Sequence, residues 1–80
     1  MYRTFTCEEL LLLDKKEVDN LKGLAVVIIK RDGNVIESAI DKIVVAAKEP
    51  LPCGFVLSDG KEVRFDSIRR IEVKNKLDNQ

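Results

Sequence analysis

Few side chains in this sequence could make or break bonds. There is no histidine, one tyrosine (Tyr2), and three serines, Ser38, Ser58 and Ser67, scattered along the chain. Little is therefore at hand to activate a nucleophile or to shuttle protons near neutral pH. Cys7 and Cys53 are far apart, form no Cys-x-x-Cys pair and have no histidine to complete a zinc site. Cys7 is the one candidate nucleophile: at the first position of a helix its thiolate would be favoured by exposed amides, but Glu8 and Glu9 beside it oppose that effect. The four glycines, Gly23, Gly33, Gly54 and Gly60, are isolated and form no phosphate-cradling loop. The expectation is a protein that is not an enzyme, with no cofactor and no metal, and with both cysteines as ordinary free thiols.

Charge placement is the chemistry that remains. Residues 1–20 carry Arg3, Lys15 and Lys16 against Glu8, Glu9, Asp14, Glu17 and Asp19. Residues 64–76 carry Arg64, Arg69, Arg70, Lys74 and Lys76 against Asp66 and Glu72. An acidic N-terminal segment suits a basic protein surface, with Leu11 as a candidate contact residue on the same segment. Competing with it is RNA binding through Lys30, Arg31, Arg69 and Arg70 on phosphates. The plainer alternative is that these charges are solvated faces and helix caps. Overall the 14 basic and 14 acidic residues cancel, which argues against a dedicated non-specific nucleic-acid binder.

The elements that must position these residues can be read from pattern. Thr6-Cys-Glu-Glu9 is a capping box, with Phe5 and Leu10 at hydrophobic-staple spacing, so a helix starts at Cys7 and the pattern carries it to about residue 20. The run Leu10 to Leu13 predicts that more than one side of this helix is covered, with Leu11 paired to Val18, unless Leu11 or Leu12 belongs to an interface. Leu24 to Ile29 is a six-residue apolar run that reads as a strand buried on both faces. Asp32-Gly33 turns it into a return strand through Ile40. Asp41-Lys42 then breaks the pattern before Ile43 to Ala47 resumes it, which predicts a strong bend or a bulge. Lys48 to Pro52 reads as an exposed loop because of Pro50 and Pro52. Phe55 to Val73 reads as strand, Gly60 turn, strand, a one-turn corner at Asp66-Ser67-Ile68, and a closing strand.

Summed, the chain is one domain: a helix over about 7–20, β structure over about 24–74, and a polar tail, 75–80, expected to fray. The fold class is mainly β with one N-terminal helix, in the layout of an Sm-like small bent antiparallel barrel. With 45% hydrophobic against 35% charged residues the composition is that of a globular domain, but a small one that buries only about 60% of its unfolded surface, so a partner or oligomer is a reasonable source of extra stability. No leader-like segment and no apolar run near the roughly 18 residues of a membrane span is present, and the expected location is cytoplasmic.

Short motifs add a family resemblance. Tyr2-x-x-Phe5-x-Cys7-Glu8-Glu9-Leu10 followed by Leu13-Asp14 resembles the opening of the Rho-binding antiterminators (Rof). Arg64-Phe65-Asp66-Ser67-Ile68 is similar to the family's Arg-Leu-Asp-x-Ile, and Ala39-Ile-Asp41 to its central step. The resemblance implies an Sm-like barrel that binds the RNA-binding domain of the termination factor Rho and inhibits termination, with Glu8, Glu9 and Asp14 occupying its basic RNA site. Where the family continues with polar and acidic residues, this chain has Leu11, Leu12, Lys15 and Lys16.

Overall fold

The computed structural model describes residues 2–48 and 51–74. Six strands, β1 (Tyr2–Thr6), β2 (Ala25–Lys30), β3 (Val35–Val45), β4 (Pro52–Leu57), β5 (Glu62–Arg64) and β6 (Ile68–Lys74), are joined by helices α1 (Cys7–Leu12) and α2 (Lys15–Asp19) and a 3₁₀ turn (Phe65–Ser67). They form one antiparallel sheet in the order β1-β6-β2-β3-β4-β5. The expected fraying of residues 75–80 and the expected loop at Pro50 lie outside the described residues.

The sheet is open, which corrects the expectation that the last strand closes a barrel. β6 has β2 along one edge and, along the other, residues Tyr2–Thr6, paired from Tyr2↔Lys74 to Thr6↔Arg70. A segment expected only to lead into the helix is thus a strand that occupies the edge where closure would occur. β5, three residues long, is left as the opposite edge.

The two hairpins follow from their turns. In the first, the Lys30 amide donates to the Asn34 carbonyl (2.8 Å) and the Gly33 amide to the Lys30 carbonyl (3.0 Å), with Gly33 at φ 93°. The second repeats this through Leu57, Gly60 and Lys61, with Gly60 at φ 90°. Each is a turn closed by a residue in the left-handed region, where glycine costs least.

Two irregularities keep apolar residues inward. The predicted break in β3 is present as a register shift between Ile40 and Lys42, after which Ile43 rejoins the core. In β6 the pairs Ile29↔Arg70 and Lys30↔Ile68 leave Arg69 as an extra residue. Arg69 and Arg70 can then both face solvent while Ile68, Ile71 and Val73 are buried.

Other expectations are corrected. The single helix over 7–20 is two helices, because Asp14 starts a second capping box: its Oδ1 accepts from the Glu17 amide (2.8 Å), and Glu17 Oε1 accepts from the Asp14 amide (3.1 Å). An N-cap residue is extended, here φ −80°, ψ 172°, so no helix passes through it. β2 is not buried on both faces: Val26 and Ile28 are buried, but Val27 and Ile29 are half-buried, since α1 packs chiefly on β1, the 3₁₀ turn and β6. Pro52 belongs to β4 and is buried; as the first residue of a strand its missing N–H is tolerated.

The core is built on Phe55, Phe65, Leu10, Leu21, Ile28 and Ile71, among others. Phe55 and Phe65 lie with ring centroids 4.9 Å apart. Next to them β5 approaches β4 so closely that a Cβ at Gly54 would stand 2.8 Å from the Val63 carbonyl oxygen and 3.2 Å from the Arg64 Cα. Backbone cannot yield cheaply, so Gly54→Ala is expected to destabilise by about 1–3 kcal/mol, read as a lowered urea midpoint with unchanged slope.

Candidate functional site

The acidic segment is shaped by its caps. The Thr6 Oγ1 accepts from the Glu9 amide (3.2 Å) and Glu9 Oε1 accepts from the Thr6 amide (2.8 Å), the predicted capping box. This fixes where α1 starts and so which way each residue points. Cys7 and Leu10 turn inward, Leu10 being 1% exposed. Glu8, Leu11 and Leu12 turn outward, with Leu11 59% and Leu12 84% exposed. Because residues three and four apart are neighbours on a helix, Glu8 adjoins both leucines. Val18 is wholly buried while Leu11 is exposed, so the expected pairing of the two is not made and the outer side of the helix is not covered within this chain; the alternative, that Leu11 or Leu12 belongs to an interface, is the one left. The second helix begins too soon for that pairing.

The candidate partner-binding residues therefore divide. Glu8 and Leu11 share one exposed face. Glu9 is exposed but tied to the Thr6 amide, and Asp14 is exposed but tied to the Glu17 amide. Both keep their charge while holding a helix start. Leu12, named from sequence only as an alternative to Leu11, is the more exposed; its position four residues after Glu8 was the available signal.

The basic candidates are brought to one end of the sheet. Lys30 and Arg31 leave β2 where β6 begins, opposite Ile68, Arg69 and Arg70. Arg31 is latched to the 3₁₀ turn: its amide donates to the Ser67 carbonyl (3.0 Å) and its Nε to the Asp66 carbonyl (3.0 Å). Arg69 and Arg70 are exposed; Arg70 Nη2 stands 3.8 Å from Glu72 Oε2, a pair of little energetic weight at that distance and exposure. Thr6, the cap of α1, pairs with Arg70, so the acidic and basic regions adjoin.

Cys7 is buried and Cys53 half-buried, both as free thiols. Among the described residues no cluster of three or more His, Cys, Asp or Glu could hold a metal, and no helix is long and apolar enough to cross a membrane. Comparison with family models, curated proteins and solved structures returns no match.

The outward turn of α1 separates structural from surface residues. Leu10→Ala should cost about 2–5 kcal/mol of unfolding free energy. Leu12→Ala should change it by less than about 0.5 kcal/mol, both read by urea denaturation. Asp14→Ala should cost about 1 kcal/mol through loss of the second cap.

Proposed function

We propose that this chain is a non-enzymatic binding protein that docks a basic protein surface with the outer face of α1, in the manner of the Rof family it resembles. The partner proposed is the RNA-binding domain of Rho, and the consequence is inhibition of termination. One observation carries the reading: Leu11 and Leu12 stand in solvent one turn from Glu8, on a helix whose opposite side is firmly packed. Exposed leucines beside a carboxylate match a partner surface with an apolar pocket rimmed by Lys or Arg. The Sm-like part of the reading is supported by the order of elements, the break in β3 and the 3₁₀ turn before the last strand, although β1 takes the place where closure would fall.

Calorimetric titration with Rho tests this at low and moderate salt. Binding is expected, and Glu8→Lys and Leu12→Ser should each weaken it about tenfold or more without changing the urea midpoint. Glu9→Gln, which can keep the cap while removing the charge, should weaken it less than Glu8→Lys. No binding at about 50 µM would sink the proposal.

A second reading rests on its own observation, the gathering of Lys30, Arg31, Arg69 and Arg70 where β2 ends and β6 begins. An Sm-like RNA-binding or ring-forming protein would use that patch. It requires affinity for single-stranded RNA that falls steeply with salt and is lost in Arg69→Glu, and a ring requires a multiple of the 9.1 kDa chain mass by light scattering. A third reading keeps the α1 face as the contact of a phage or host-interaction protein whose protein target is not Rho; a pull-down from lysate with the Leu12→Ser variant as control separates it from the first.

A further inference from the structure

The open sheet leaves a cleft between its two Asp-Gly hairpins, away from α1. It has a volume of about 450 Å³ and is lined by Lys30, Val35 and Ile36 from the first hairpin and Lys61, Glu62 and Val63 from the second. Ile36 lies on the side of β3 that leads to buried Ile40, yet is only half-buried because the sheet is not closed over it. The walls are held firmly. Asp32 Oδ1 accepts from the Asn34 amide (2.9 Å) and Asp59 Oδ1 from the Lys61 amide (3.0 Å), so matching bonds brace each turn beside the cleft.

The lining of the cleft includes two lysines and one carboxylate, Glu62, with the Asp32 and Asp59 carboxylates engaged by backbone amides at the turns beside it. Lys30 is half-buried, and among the described residues neither Lys30 nor Lys61 is in an ion pair. An ammonium outside an ion pair can form a charge-assisted hydrogen bond with an anion. Two lysines on separate hairpins can reach one phosphate from both sides. Asn34, whose Nδ2 donates to Asp32 Oδ2 (3.2 Å), keeps its side-chain Oδ1 as an acceptor for a hydroxyl or amine on the same wall. The volume falls within the roughly 300–1,000 Å³ of small-molecule sites.

We propose that this cleft binds a small phosphorylated ligand of mononucleotide size, its phosphate between Lys30 and Lys61 and its body on Val35, Ile36 and Val63. The site is independent of the α1 face and of any protein partner.

The test is an amide chemical-shift titration of the full chain with AMP, with inorganic phosphate and adenosine as separate arms at constant ionic strength. AMP should shift Asn34, Val35, Lys61 and Glu62 saturably, phosphate should shift the same amides more weakly, and adenosine should not saturate. Lys30→Gln and Lys61→Gln should each weaken AMP binding about tenfold. Lys61 is exposed, so its variant tests the site even if Lys30→Gln perturbs folding. Absence of saturable shifts with AMP and phosphate to about 10 mM overturns the proposal. So does AMP binding that survives both substitutions together, or a response confined to single-stranded RNA and centred on Arg69 and Arg70.

Discussion

The contact between Phe55 and Phe65 is the interaction on which the rest of the structure depends. The two rings, tilted by 57° with centroids 4.9 Å apart, join β4 to the 3₁₀ turn, and both are essentially without solvent exposure. Tilted aromatic pairs at this separation combine a large buried area with a geometric preference. Here that preference sets the direction in which the chain leaves β5 and becomes β6. β6 then lies against β2, presents its other edge to β1, and through β1 determines where α1 stands. The bare backbone at Gly54 belongs to the same arrangement, since it lets β5 sit close enough for Phe65 to reach Phe55.

A sheet this small must bend, and bending normally costs paired hydrogen bonds or misdirected side chains. The bulge in β3 and the one in β6 spend single residues on it. In β3 the shift falls at Asp41, so Ile40 and Ile43 both serve the core although three positions apart. In β6 it falls at Arg69, so two adjacent arginines face out between buried isoleucines. The polar residue at each bulge is the one a bent strand can leave in solvent. The basic patch is thus a by-product of how the strand keeps its apolar side inward.

Much of this was legible in the sequence, and the misses share a cause. Both Asp-Gly turns, the first capping box and the break at Asp41 are local signals that lie where the pattern puts them, and the one-turn corner falls one residue earlier than expected, at Phe65–Ser67, with Ile68 already in β6. Asp14-Lys-Lys-Glu17 was an equally local signal, overshadowed by the leucine run preceding it. The strand at Tyr2–Thr6 carried no comparable mark. Its pairing is set by the free edge of β6, more than sixty residues away, and five residues of mixed polarity do not announce a long-range partner. Openness of the sheet follows from that pairing and was hidden with it. For the same reason the two-sided burial expected of β2 failed: whether a helix covers the second face is decided by where the chain enters, and β1 takes α1 towards the 3₁₀ turn instead.

The division of labour among the acidic residues bears most directly on function. A carboxylate that caps a helix is held in place by backbone amides, and its charge is partly directed to them; Glu9 and Asp14 are of this kind. Glu8 makes no such bond among the described residues, so its charge is free to meet an incoming cation. With net charge zero and basic residues adjoining at Arg70, attraction over distance is weak, and the proposed docking would rely on contact. Contact is what Leu11 and Leu12 provide. Burying two exposed leucines contributes a few kcal/mol at most, enough to assist a docked complex but not to form one unaided. The proposed docking therefore asks for a partner that meets the leucines and Glu8 together, and an apolar pocket rimmed by cations would satisfy both demands on one surface.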